Sequence, residues 1–105
     1  MKIRIFSTTQ FEGFHRWPES PDPILATMHR HIFHVRAELV VEDPDREVEF
    51  IELKRRINRK IEQLKQEPGV NEWSCETWAI KLLNSIPLTA CEVSEDGENG
   101  ARVER

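Results

Sequence analysis

The most informative stretch of this chain is H29-R-H-I-F-H-V-R-A-E-L-V-V-E42, in which two kinds of residue alternate. Its odd positions carry two histidines and then an unbroken apolar series, whereas its even positions are mostly polar or charged. Successive side chains of a strand point to opposite faces of a sheet. The period of two therefore predicts a long strand, residues 29–42, with one face against a core and the other open. The turn D43-P-D-R46 ends it.

Segments on both sides of this strand predict another strand and two helices. Residues 2–14 are rich in Ile, Phe and Thr and predict the first strand, which a proline-rich loop at residues 17–23 separates from the second. A helix from about residue 48 to 66 is predicted by apolar residues that recur at steps of three and four, namely Phe50, Leu53, Ile57, Ile61 and Leu64. Ser74 predicts the cap of a shorter helix over about residues 75–85.

Two short strands, residues 88–94 and 101–104, close the chain and flank the turn D96-G-E-N-G100. The order ββααββ predicts an α+β fold, in which an antiparallel sheet carries two helices on one face. At 105 residues the chain has room for one domain, residues 1–105. A domain of this size buries a modest share of its surface, so association with further copies would stabilise it.

The composition, with 38% apolar and 32% charged residues, is typical of a soluble globular protein. The net charge of −4 argues against a general nucleic-acid partner, and the basic segment K54-R-R-I-N-R-K60 is interpreted as a solvated helix face. No segment approaches the roughly 20 apolar residues that span a bilayer, and the N-terminus lacks the pattern of a secretory signal. Cys75 and Cys91 lack disulfide or metal-type spacing, which predicts free thiols and a cytoplasmic location.

Three histidines, His15, His29 and His31, lie within 17 residues of one another. Because His29 and His31 are two apart on a strand, their side chains share a face, with Cα atoms roughly 6.5–7 Å apart. With His15 at the end of the first strand, three imidazoles could hold a zinc ion and leave its fourth position open. The alternative is that all three are ordinary polar residues at strand ends. His34 faces the other way and is interpreted as a surface residue.

Two carboxylates and one thiol have plain structural interpretations from their positions alone. Glu76 lies in the first turn of the second predicted helix, where the helix dipole favours a negative charge. Glu95 ends the third predicted strand and would ordinarily be solvated. Cys75, next to the cap residue, is interpreted as a small packing residue.

Five short motifs, taken together and in order, resemble the 6-pyruvoyl-tetrahydropterin synthases and the related 6-carboxytetrahydropterin synthases. They are F11-E-G-F-H15-R16, H29-R-H-I-F33, E49-F-I-E-L-K54, S74-C-E-T-W-A79 and V93-S-E95. Each match is loose, but their order along nearly the whole chain and the predicted ββααββ layout agree with the family. The chain therefore resembles a divergent member of it.

The resemblance implies a T-fold, in which the sheets of several subunits join into a barrel, as a trimer or hexamer with pockets between subunits. It implies that His15, His29 and His31 are zinc ligands. Glu95 matches the glutamate that anchors the pterin ring, and a carboxylate suits the amino-pyrimidine edge of such a ring. The helix-start residues of the same pocket are Ser74, Cys75 and Glu76.

The chain departs from the family at the residues that move protons. Leu25 stands where the family has a catalytic cysteine, and residues 67–73 contain neither the Asp nor the His that accompany it. Arg30 replaces the glycine between the two histidines; it could bind an anionic group or simply face solvent. Whether the chain is an enzyme is left open between two main hypotheses, since proton transfer needs placed acid and base groups.

The first hypothesis is a zinc-dependent, lyase-like enzyme that acts on a pterin or purine-like heterocycle without the standard triad. The second is a non-catalytic pterin-binding or regulatory homologue that keeps the pocket. A purely structural homo-oligomer is a third hypothesis, against which the retention of three histidines and Glu95 argues.

Overall fold

A four-stranded antiparallel sheet forms the body of the structure, a computed structural model that describes residues 1–105. Its strands lie side by side in chain order: β1 (Ile3–His15), β2 (His29–Val41), β3 (Ala90–Glu95) and β4 (Asn99–Glu104). The helices are α1 (Pro23–Ala26), α2 (Phe50–Leu64) and α3 (Cys75–Ser85), with a 3-10 turn at Val70–Glu72 before α3. The α+β class and the antiparallel sheet are confirmed.

Two short helical segments depart from the sequence prediction. Helix α1 begins at the end of the predicted proline-rich loop, because Asp22 accepts a hydrogen bond from the backbone N–H of Ile24 at 2.9 Å and Pro23 occupies the first helical position. The 3-10 turn at Val70–Glu72 follows Gly69, which has a left-handed φ of 80°. Segments of three or four residues are too short to show a helical period, so neither was predicted.

The core lies between one face of the sheet and helices α2 and α3. From β2 the odd-numbered Phe33, Val35 and Ala37 are buried, as the alternation predicts. Helix α2 contributes four of the five predicted stripe residues, Leu53, Ile57, Ile61 and Leu64. Burying a large apolar side chain contributes about 1.5–3 kcal/mol, so this layer is the main stabilising term.

Phe50 is the exception in the predicted apolar stripe. It is 57% exposed, because the backbone at the start of α2 approaches the sheet instead of the side chain: Ser7 Oγ donates a hydrogen bond to the Phe50 carbonyl at 2.8 Å. None of the helices combines the length and the apolar character needed to cross a bilayer.

One partly buried ion pair lies on the sheet face that carries no helix. Glu38 is 6% exposed, and Arg102 donates to both of its carboxylate oxygens, at 2.6 and 2.7 Å. Arg36 donates to the same carboxylate at 3.1 Å. The hydrogen bonds from Arg102, opposed in part by burial and aided by Arg36, lower the pKa of Glu38 from 4.5 to about 2.

Replacing Glu38 with glutamine is expected to change how stability depends on pH. Because the folded-state pKa lies below the ordinary value of 4.5, the pair stabilises the fold above that pH and its contribution is lost as the pH falls towards 2. At neutral pH we expect Glu38→Gln to lower the free energy of unfolding by about 2 kcal/mol. The reason is that the hydrogen bonds from Arg102 and Arg36 then lose their charged acceptor. Urea unfolding at neutral and acidic pH measures both effects.

The matched control is Glu62→Gln, because Glu62 is exposed and pairs with Lys65 at the end of α2. This control should behave like the parent protein. If Glu38→Gln loses stability in acid as steeply as the parent does, the Glu38–Arg102 pair is not the source of the acid sensitivity.

Candidate metal centre

The open end of the β1–β2 hairpin brings three imidazoles together. In the register of the two strands, His15 lies opposite His29, and Gly13 lies opposite His31. The ring centroids of His15, His29 and His31 are 4.6–5.0 Å apart in all three pairs. The side chains of His29 and His31 therefore share a face, as the two-residue spacing predicts, and His15 reaches it from the neighbouring strand.

A fourth group, Glu95, completes this cluster from strand β3. The register places Glu95 opposite Phe33 of β2, two residues beyond His31. Its Oε2 lies 2.8 Å from His15 Nε2 and 3.3 Å from His31 Nε2. One ligand atom from each of the four residues falls within 4.8 Å of all the others, a group close enough to bind a metal ion. Glu95 thus faces the imidazoles, which its sequence position alone does not indicate.

Every imidazole of the cluster has an oxygen acceptor at its other ring nitrogen. The pairs are His15 Nδ1 with the Trp73 carbonyl at 3.0 Å, His29 Nδ1 with the Thr27 carbonyl at 2.8 Å, and His31 Nδ1 with Asp96 Oδ2 at 2.7 Å. An oxygen acceptor favours the tautomer that carries its hydrogen on Nδ1. A neutral ring of this kind presents its Nε2 lone pair to the cluster. The donor set and its surroundings therefore fit a metal ion.

His34 lies outside this cluster. It follows the even-numbered, opposite side of β2, where its ring is next to Gly97. It is not one of the four residues that share the short ligand-atom distances. His34 therefore faces the other way, as predicted, although it is half-buried rather than fully at the surface.

A cavity of about 760 Å³ opens beside the imidazoles. One side of it is formed by the segment around α1. Within this segment the Trp17 N–H donates a hydrogen bond to the Leu25 carbonyl at 2.8 Å. The other side is the start of α3. Ser74, Cys75, Glu76 and Glu95 all line the cavity.

The lining residues at the start of α3 differ in what they can do chemically. Ser74 caps the helix, since its Oγ accepts a hydrogen bond from the Thr77 N–H at 3.1 Å. Cys75 is buried, and burial, together with the negative charges of Glu95 and Glu76, raises its thiol pKa to about 12. The thiol is therefore protonated at neutral pH and a poor nucleophile. Glu76 is the exposed carboxylate of this segment.

Two segments beside the cavity, where the resemblance implies proton-transfer groups, hold other residues. Leu25, where the resemblance implies a cysteine, is 40% exposed and lines the cavity. Between α2 and α3 the 3-10 turn contributes Glu72, which forms an ion pair with Arg16 at 3.3 Å. Arg30 also lines the cavity, but its guanidinium contacts Glu12 at 2.6 Å. The cavity therefore offers carboxylates and apolar surface without a Cys–Asp–His set.

Sequence patterns did not identify the acceptors behind the imidazoles. Two of them are backbone carbonyls, which any residue type can provide. Asp96 is visible in the sequence only as the first residue of an Asp-Gly turn, which signals a hairpin rather than a contact with His31. A comparison of the chain with protein-family models gave no match, and a comparison with curated proteins gave none either.

Proposed function

We propose that this chain binds one zinc ion through Nε2 of His15, His29 and His31 and holds a pterin or purine-like heterocycle in the adjoining cavity. In this proposal it is a divergent relative of the 6-pyruvoyl-tetrahydropterin synthases, with a binding or regulatory role. The observation that carries the proposal is the convergence of three imidazoles, each of which has an oxygen acceptor at Nδ1.

The short approach of Glu95 to these rings is compatible with a bound cation. When its hydrogen is on Nδ1, the Nε2 of a neutral imidazole is an acceptor, and so is a carboxylate oxygen. The 2.8 Å contact between His15 Nε2 and Glu95 Oε2 is satisfied either by a hydrogen on Nε2 or by a cation between the two atoms, so it is compatible with a metal site. Zinc suits imidazole nitrogens with a nearby carboxylate, and three protein ligands leave it a position for another molecule. Such a zinc ion polarises a bound oxygen or lowers the pKa of bound water.

The size and lining of the cavity support a flat heterocyclic ligand. A volume of about 760 Å³ lies within the usual range of small-molecule sites. Trp17 and Trp73 line it and offer broad apolar surface to an aromatic ring. Glu95 Oε2 faces the imidazoles, while its other carboxylate oxygen makes neither of those contacts. We assign that oxygen to the amino-pyrimidine edge of the ligand.

Replacing Glu95 with glutamine separates the anchoring role from a metal-ligand role. We expect pterin or guanine to bind the zinc-loaded variant at least about tenfold more weakly, because a charge-assisted hydrogen bond is worth about 1.5–3 kcal/mol. Zinc content should stay near that of the parent, since the three imidazoles are retained. Isothermal titration with each heterocycle and metal analysis of the same samples measure the two effects.

The matched control for this variant is Glu98→Gln, an exposed residue of the following turn that does not line the cavity. It should leave both measurements unchanged. Loss of zinc in Glu95→Gln would make Glu95 a metal ligand instead, and undiminished heterocycle binding would end its assignment as the anchor.

An oligomeric barrel of the T-fold type, a trimer or hexamer, belongs to the same proposal. The outer strands β1 and β4 each pair on one side only, so both offer free backbone edges to another subunit. Apolar side chains near the cavity mouth are also exposed, among them Trp17 at 55% and Ile24 at 74%. Light scattering during gel filtration tests this part, because a monomer would contradict it.

A zinc-dependent, lyase-like reaction is the second candidate function. The three-histidine set favours it, since a metal with an open position is the catalytic type. Leu25 in the cavity and the protonated thiol of Cys75 favour binding without turnover. Incubation of the zinc-loaded protein with a pterin triphosphate separates the two, because release of triphosphate would establish the enzyme and its absence would support the binding role.

A further inference from the structure

The turn between β3 and β4 places a second carboxylate directly behind His31. Asp96, the first residue of the turn, accepts a hydrogen bond from the Ile32 N–H through Oδ1 at 2.9 Å. Its Oδ2 lies 2.7 Å from His31 Nδ1, and its own N–H donates to the Ile32 carbonyl at 2.7 Å. These three contacts fix the side chain and backbone of Asp96 against consecutive residues of β2.

The backbone of Asp96 has a conformation that most residues avoid. Its φ is 56°, in the left-handed region, where a residue other than glycine carries a steric cost that Asp and Asn tolerate best. In this conformation the carboxylate reaches His31 and Ile32 together. Glu95, the preceding residue, meets the other nitrogen of the same ring, so His31 lies between two consecutive carboxylates.

We infer that Asp96 is a positioning residue of the proposed metal centre: it holds His31 in the tautomer with its hydrogen on Nδ1 and thereby aims Nε2 at the metal. The inference rests on the proposed zinc site, through which it would affect affinity, but its effect on the His31 tautomer exists without metal. His15 and His29 are held by backbone carbonyls. Among the acceptors behind the three rings, Asp96 is thus the one that is a side chain, so a substitution can remove it. A carboxylate acceptor also makes the ligating nitrogen of the ring more basic.

Asp96→Asn tests the inference with little change in shape. Asparagine tolerates the left-handed conformation, and its carbonyl oxygen can still accept from the Ile32 N–H. The amide nitrogen then occupies the position of Oδ2 and donates to His31 Nδ1. That donation places the ring hydrogen on Nε2, the atom that must be free to bind a metal. We expect the zinc dissociation constant to rise about 10- to 100-fold, the usual effect of losing such a partner.

Two readouts separate positioning from a general structural effect. Zinc affinity is measured by competition with a chromophoric chelator, on the parent, Asp96→Asn and the control Glu98→Gln from the same turn. The nitrogen chemical shifts of the His31 ring are measured in metal-free protein well above the ordinary imidazole pKa of about 6.5. The parent should carry its hydrogen on Nδ1 and Asp96→Asn on Nε2, with similar thermal unfolding midpoints for both proteins.

An unchanged zinc affinity in Asp96→Asn, or an unchanged His31 tautomer, would overturn the inference. Glu98→Gln should match the parent in both measurements, and an equal loss of affinity in that control would also count against a specific role for Asp96. If the parent itself takes up no zinc, the proposed function fails, and the tautomer measurement alone decides whether Asp96 controls His31.

Discussion

His31→Ala is expected to weaken zinc binding by roughly a thousandfold, whereas His34→Ala should leave it unchanged. Zinc bound by protein side chains gains on the order of 12 kcal/mol, so an equal share for each of three ligands is about 4 kcal/mol, or roughly a thousandfold in affinity. His31 Nε2 belongs to the cluster with His15, His29 and Glu95. A competition titration with a chromophoric chelator, on protein without a histidine tag, measures the change.

His34 is a demanding control because it is on the same strand and three residues away. It follows the other side of β2, so its loss removes an imidazole without touching the cluster. Equal losses in the two variants would mean that zinc binds surface histidines non-specifically. If His31→Ala binds zinc as tightly as the parent protein, the metal does not bind at this cluster.

Phe33→Ala is expected to lower the free energy of unfolding by about 3–5 kcal/mol, the usual cost of truncating a buried aromatic residue. Phe33 is 1% exposed and stacks on Phe11 with ring centroids 5.1 Å apart. Its ring also meets those of His15 and His31 edge-on, at 5.4 and 5.9 Å. The substitution therefore leaves a cavity in the core and removes the aromatic ring that packs against two of the proposed ligands, His15 and His31. Urea unfolding of metal-free protein measures the effect.

Phe14→Ala is the matched control for this substitution. Phe14 is on the neighbouring strand but is 50% exposed, so it should cost well under about 1 kcal/mol. If Phe33→Ala costs no more free energy of unfolding than Phe14→Ala, the core does not extend beneath the histidines.

The parts of the fold that were predicted from sequence are those with a local period. The alternation along β2 and the apolar stripe of α2 each repeat several times, so a few exceptions do not hide them. Phe50 was wrongly placed in the apolar stripe and the burial of Glu38 was not predicted, because both depend on neighbours distant in sequence. Phe50 begins α2 where the backbone contacts Ser7, and Glu38 is covered by Arg102 from β4.

The site was predicted in part for the same reason. The spacing of His29 and His31 places them on one face within a single strand, but the approach of His15 depends on the β1–β2 register. Glu95 and Asp96 reach the histidines only through the β2–β3 pairing and the turn that follows it. Without the family resemblance, nothing in the local sequence separates Glu95 from a solvated strand-end residue. The T-fold barrel and its subunits stay a prediction.

The most direct test of the zinc centre is the metal content of the purified, untagged protein after expression with zinc supplied. The three converging imidazoles predict about one zinc ion per chain, and the loss of that zinc in His29→Ala. Protein that carries no zinc under these conditions, or that carries it equally well without His29, would contradict the account.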